Sequence, residues 1–137
     1  MCHEEERPGP AGEASLHPAV FAQLRRAMEA DPSGFLELYR EYLAEARLSL
    51  GEVKQAIQRT DASAVQARAH YLRSSSMVLG VVHVAREAGM LEEIARSGNL
   101  ERAGMRLKQA ELCLQQVTAR LVEELGSQVD PAGKTAA

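Results

Sequence analysis

An all-α chain is predicted: an antiparallel up-down four-helix bundle with a short additional N-terminal helix. Three observations carry this reading. Apolar residues recur at three- and four-residue steps through four long segments. Short breaks separate those segments: Asp31-Pro32, Thr60-Asp61, Gly80 and Ser97-Gly98-Asn99. No period-two run bounded by turns signals a strand anywhere in the 137 residues. Four amphipathic helices on short connections bury one stripe each by packing up and down. The length suffices for one core and not for two.

Taken in order, residues 1–14 are rich in Glu, Pro and Gly and hold too little apolar surface to order themselves, so they read as a disordered tail. The domain is placed at residues 15–125. Its short first helix runs from Pro18 to about Ala30 and lies across one end of the bundle. His17 is a cap residue, Pro18 suits the first helical position, and Leu16, Val20, Phe21, Leu24 and Met28 supply the apolar side. Asp31 then caps a second helix that starts at Pro32 and reaches about Arg59. Its stripe is Phe35, Tyr39, Tyr42, Ala46, Leu50, Val53 and Ile57, carried through Gly51.

Asp61 caps the third helix, whose stripe is Ala62, Val65, Ala69, Leu72, Ser76 and Leu79. Gly80 stands where a helix end requires a left-handed residue. The fourth helix, Val81 to Arg96, buries Val84, Ala88, Leu91 and Ala95, with Gly89 allowing a neighbour to approach closely. Asn99 caps a fifth helix from Leu100 to about Leu125. It carries Leu100, Leu107, Leu114 and Leu121 at heptad spacing, with Ala103, Ala110 and Val117 between them. That spacing also suits a coiled coil, but in one helix among several it reads as bundle core. Residues 126–137, rich in Gly, Pro and Ala, are read as a second disordered tail.

Composition excludes several functions. Sixteen Lys and Arg against nineteen Asp and Glu give a net charge of −3, with the signs interspersed. No basic stripe neutralises a phosphate backbone, and two Phe, three Tyr and no Trp offer little for base stacking, so nucleic acid is not a partner. Cys2 and Cys113 form neither a metal-ligand spacing nor a structural disulfide, which suits a reducing cytoplasm. No apolar run reaches membrane-spanning length, and the acidic start is unlike a secretory signal.

One polar residue falls off the pattern. Successive helical side chains are rotated by about 100°, which places His70 roughly 140° from Val65 and roughly 160° from Leu72. Its neighbours one turn away are Gln66, Arg73 and Ser74. The imidazole therefore points outward beside a permanent cation and a small side chain, a place for chemistry with a partner. A neutral imidazole is a competent nucleophile near pH 7, because the ring ordinarily titrates at about 6.5. Zinc binding by His70 with His83 lacks a third ligand.

Around this residue the spacing becomes specific. His70, Leu72, Arg73, then Ser74, Ser75 and Ser76, then Leu79-Gly80, and on the next helix Leu91-Glu92 with Ala95-Arg96, resemble the histidine-containing phosphotransfer (HPt) domain. The family form is a His, Leu two on, a basic residue three on, small residues at four to six, Leu-Gly at nine and ten, and a later Leu-Glu. The resemblance covers about residues 16–125. Four positions depart from the commonest form: Arg73 stands where Lys is frequent, Ser74 where Gly is frequent, and Val81 and Ala88 replace a more usual Ala and Cys, which alters packing only. Arg keeps the charge but presents a fork instead of a point charge.

The resemblance implies a phosphorelay intermediate that takes a phosphoryl group from one receiver-domain aspartate and hands it to another. His70 would be the phosphoacceptor, through Nε2. Arg73 would steady the phosphoryl oxygens, and Ser74 would let the receiver approach. Glu92, on the flank of its helix, would accept a hydrogen bond from His70 Nδ1–H if the helices pair antiparallel; the competing reading is a surface carboxylate paired with Arg96. Gln66, Ala67 and Met77 are candidate docking residues. Ser75 and Ser76 read as small packing residues whose hydroxyls bond back to the preceding turn.

No Gly-rich phosphate cradle and no acidic Mg²⁺ cluster is present in the sequence, so no cofactor is expected. Any Mg²⁺ belongs to the partner receiver, and the chain is a carrier and not an enzyme. The implied partners are response-regulator receivers or a hybrid sensor histidine kinase, met by a cytoplasmic monomer. Two rival readings stay open: a helical adaptor of the same fold that binds without phosphate, and the phosphate-accepting domain of a chemotaxis-type or hybrid kinase. The chain's length and its own start methionine favour a stand-alone shuttle.

Overall fold

Proline and aspartate fix where the first helices start. The computed structural model describes residues 15–132. In it, α1 (Pro18–Ala27) begins after His17, whose Nδ1 accepts the Val20 N–H at 3.4 Å. Helix α2 (Pro32–Gln58) begins after Asp31, whose Oδ1 accepts the Gly34 N–H at 3.0 Å. Helix α3 (Ala62–Val78) repeats the device with Asp61 Oδ1 and the Ala64 N–H at 3.1 Å. Helices α4 (Val82–Arg96) and α5 (Ala103–Leu125) start without a side-chain cap. Among the described residues there is no strand.

Helices α2 to α5 pack in a ring of antiparallel neighbours, with α5 closing against α2. The cross-contacts give the direction. Tyr39 OH donates to the Leu79 carbonyl at 3.0 Å, Tyr42 OH meets Ser76 Oγ at 2.7 Å, and Arg68 meets Glu52 at 3.2 Å, so α3 descends as α2 rises. The predicted stripes form the core: Tyr39, Val53, Val65, Leu72, Val84, Leu91, Val117 and Leu121 are all fully or nearly fully buried. Ile57, Ala62 and Leu100 are covered only in part. Burial of such side chains stabilises by about 1.5–3 kcal/mol each relative to exposure.

The end of the bundle that holds the start of α2 and the ends of α3 and α5 is crossed by α1. Phe21 sits 5.4 Å from Phe35 and 5.6 Å from Tyr39, ring centre to ring centre. The His17 N–H donates to the Gly80 carbonyl at 2.7 Å, and Arg25 donates to the Glu124 carbonyl at 3.3 Å. Gly80 has φ +74°, and a Cβ there would lie 3.0 Å from Val20. The left-handed turn and the seat for α1 thus need the same glycine.

Three expectations are corrected. Helix α5 starts at Ala103 and not at Leu100, because Asn99 Oδ1 accepts the Glu101 N–H at 2.9 Å and holds a turn there instead. Ser76 does not bond back to its own helix; its hydroxyl reaches across to Tyr42. The third concerns the C-terminal tail. After Gly126 the chain forms a single 3₁₀ turn, Ser127–Val129, in which Val129 is fully buried. Asp130 is also buried and meets Arg47 at 2.8 Å, and Arg40 donates to the Gln128 carbonyl at 3.1 Å. The packed domain therefore continues past residue 125, on the α2–α5 side. The tail expected at 1–14, and residues 133–137 of the tail expected at 126–137, lie outside the described residues.

Candidate functional site

Helix α3 turns His70 away from the core, and antiparallel pairing brings Glu92 of α4 level with it. The His70 side chain is 55% exposed, whereas that of Glu92 is only 8% exposed. His70 Nδ1 stands 2.8 Å from Glu92 Oε2, and Arg73 donates through Nε–H to Glu92 Oε1, also at 2.8 Å. One carboxylate thus takes both side chains, one on each oxygen. Gly89 of α4 makes room: a Cβ there would lie 3.3 Å from Arg73 Cδ, so the bare backbone lets the arginine stem cross α4.

The ring's tautomer follows from these neighbours. Arg73 Nη2 also lies 3.2 Å from His70 Nδ1. A guanidinium can only donate, and a carboxylate can only accept. If Nδ1 were bare, its lone pair would face the Glu92 oxygen at 2.8 Å, so the shorter and charge-assisted contact decides. Nδ1 carries the proton and donates it to Glu92, Arg73 Nη2 is a neighbour and not a donor to the ring, and Nε2 keeps the lone pair.

Glu92 is ionised in this setting. Burial pushes its carboxyl up, but hydrogen bonds from Arg73 and His70, together with their charge, outweigh burial and hold it below the usual carboxylate range. Arg96 adds a third cation, with Nη2 at 3.5 Å from Glu92 Oε2 while its Nη1 holds the exposed Glu93. The reading of Glu92 as a surface carboxylate is overturned: Arg96 does pair with it, but beneath His70 and Arg73, where α3 covers it. A second buried carboxylate, Glu87, takes Arg106 Nη1 at 2.7 Å and Arg86 at 3.7 Å. Sequence reasoning missed this α4–α5 pair, because a carboxylate beside the core stripe gives no periodic signal.

The remaining candidates share the outward face of α3. Ser74 and Ala67 are exposed, Gln66 is half-buried, and Met77 is 58% exposed with its sulfur 3.9 Å from Arg73 Nη1. Ser75 bonds back to the Leu72 carbonyl at 3.2 Å, as a packing residue should. Next to Arg73 and Met77 a groove of about 380 Å³ opens between α1 and the α3–α4 turn, walled by Val20, Val82 and Ala85. Among the described residues, no group of three or more His, Cys, Asp or Glu side chains could hold a metal ion.

An exposed imidazole, with its second nitrogen held by a buried carboxylate, thus stands on the flank of a helical bundle. The family model of the Hpt domain matches residues 37–120. The chain belongs to the Hpt domain family. Its fold is similar to the crystal structure of histidine-containing phosphotransfer protein B (HptB) from Pseudomonas aeruginosa PAO1, at 28% identity and a TM-score of 0.77. The match covers 82% of this chain and 96% of that one. No curated protein matches the sequence. Histidine phosphotransfer in a two-component phosphorelay is the role of this Hpt chain, and Hpt proteins act as phosphocarriers. Among its described residues no helix is long and apolar enough to cross a membrane.

Proposed function

We propose that His70 is the phosphoacceptor, attacking through Nε2, with Glu92 orienting the ring and Arg73 steadying the phosphoryl group. The observation that carries this is the 2.8 Å contact between His70 Nδ1 and buried Glu92. The donor is the acyl phosphate of a receiver aspartate. A bond forms between Nε2 and phosphorus as the bond from phosphorus to the aspartate oxygen breaks, and the aspartate leaves as a carboxylate. The ring keeps its Nδ1 proton and gains positive charge as its lone pair is used, and the Glu92 carboxylate stabilises that charge. Return transfer to a second receiver reverses the step.

Phosphoryl transfer asks a protein mainly for positioning and charge neutralisation. Arg73 stands one turn from His70, and beyond the Nε bonded to Glu92 its Nη1 and Nη2 make only a long contact with the Met77 sulfur and a close approach to the ring, while Ser74 is exposed beside the ring. Gln66, Ala67 and Met77, with the groove beside Met77, form the docking rim for a receiver or a hybrid kinase. Any Mg²⁺ belongs to that receiver, and the chain itself is a carrier and not an enzyme, working as a cytoplasmic monomer. The free buried thiol of Cys113 fits a reducing compartment.

The test is transfer from a panel of phosphorylated receivers to wild-type protein and to His70→Gln. Acid-labile phosphate on His70 in the wild type, and none in a folded His70→Gln, supports the proposal. Equal phosphate uptake by the variant overturns it.

A further inference from the structure

We infer that Arg96 is a positioning residue for phosphotransfer, the reserve cation that takes over Glu92 when Arg73 turns to the phosphoryl group. The inference rests on His70 being the phosphoacceptor and extends that reading to a residue it does not use.

Glu92 is a buried carboxylate, and in the resting protein Arg73 Nε–H and His70 Nδ1–H satisfy one oxygen each. A phosphoryl group on His70 brings a second, larger negative charge within reach of the same arginine. Two anions then compete for one guanidinium. If Arg73 leaves with nothing in its place, Glu92 Oε1 is left buried and unpaired, which is strongly unfavourable. The cost would keep Arg73 on Glu92 and leave the phosphoryl group poorly neutralised.

Arg96 stands where that difficulty can be met. It lies one turn along α4 from Glu92, with its side chain half exposed and therefore free to adjust. Nη2 waits at 3.5 Å from Oε2, the oxygen that also takes His70, too long for a good hydrogen bond; rotation of the side chain would bring the guanidinium onto the carboxylate once Arg73 vacates Oε1. Its other contact is with exposed Glu93, a carboxylate that water can satisfy alone. The charged and titratable groups facing Glu92 are His70 and Arg73 from α3 and Arg96 from α4, so Arg96 is the permanent cation that remains once Arg73 has moved. The exchange is a relay of one guanidinium for another on a single carboxylate.

The consequence is thermodynamic. Arg96 stabilises the phosphorylated state more than the resting state, so removing it lowers the share of phosphate on His70 at equilibrium with a given receiver. The experiment brings wild type, Arg96→Gln and Arg96→Lys to equilibrium with one phosphorylated receiver. It measures phosphate on His70 and records arginine Nε–H signals by NMR before and after phosphorylation. Expected are a fall of about 3- to 10-fold in the phosphorylated share for Arg96→Gln and near-complete rescue by Arg96→Lys. In the wild type the Arg73 signal leaves its Glu92-bound position on phosphorylation, and in Arg96→Gln it stays. An unchanged share in Arg96→Gln, or an Arg73 signal that does not move in phosphorylated wild type, overturns the inference while His70 remains the phosphoacceptor. Absence of phosphate on His70 in the wild type overturns the parent reading instead.

Discussion

Glu92 Oε2 accepts the His70 Nδ1–H at 2.8 Å from beneath the surface, although His70 itself stands half in water. The proposed phosphoacceptor is exposed and the carboxylate it is bonded to is buried. An exposed imidazole alone would rotate and exchange tautomers. Tied to a carboxylate that α3 and α4 enclose, it presents one nitrogen in one orientation. Four expected outcomes follow from this arrangement and from the frame that holds it.

Replacing Glu92 by Gln keeps the shape but removes the charge that, in the proposed mechanism, stabilises the developing imidazolium. Phosphate uptake from a receiver is expected to slow by about 10- to 100-fold, the range found when a carboxylate behind a metal-binding imidazole is removed. Stopped-flow or quenched transfer kinetics check this. A rate within twofold of wild type would show that the carboxylate does not act on the reaction.

Acid should weaken the fold through the same residue. The folded-state pKa of Glu92 lies below its ordinary value of 4.5, against burial, because Arg73 and His70 favour the charged form. Its contribution to stability is therefore complete above pH 4.5 and is lost as pH falls through the lower, folded value. Denaturant titrations of wild type and Glu92→Gln from neutral pH into acid should show an acid-limb loss in the wild type that the variant lacks.

Gly80→Ala strains the junction of α1, α3 and α4. The left-handed backbone disfavours alanine by about 1–2 kcal/mol, and the new Cβ meets Val20 at 3.0 Å. A fall in the denaturation midpoint with the α1 amides exchanging faster is expected.

Val129→Ala tests whether the C-terminal turn belongs to the domain. Losing a fully buried valine side chain should destabilise by about 1–2 kcal/mol. Phosphate uptake should be unaffected, because Val129 packs on the α2–α5 side and His70 lies on the α3–α4 side. Thermal melts and a transfer assay on the same samples read both.

Most of the frame is legible in the sequence, because helix periods and caps are local signals. Asp31, Asp61 and Gly80 each do what their residue type and place in the chain imply. The phase of α3 alone puts His70 outside. What periodicity does not carry is the partner of a polar side chain across two helices. Glu92 is called to His70 by motif spacing, but its burial and its hold on Arg73 depend on the interhelical distance and on bare Gly89. Glu87 with Arg106, Ser76 with Tyr42 and Asp130 with Arg47 are hidden for the same reason. Val129 is a single apolar residue in a Gly- and Pro-rich stretch and offers no pattern at all.

The most direct test is long-range ¹H–¹⁵N NMR of the His70 ring, before and after transfer from a phosphorylated receiver. The account predicts a proton on Nδ1 in the resting protein and phosphorus coupled to Nε2 afterwards, with the Nδ1 proton still held. A resting proton on Nε2, or phosphorus on Nδ1 or on another residue, would contradict it.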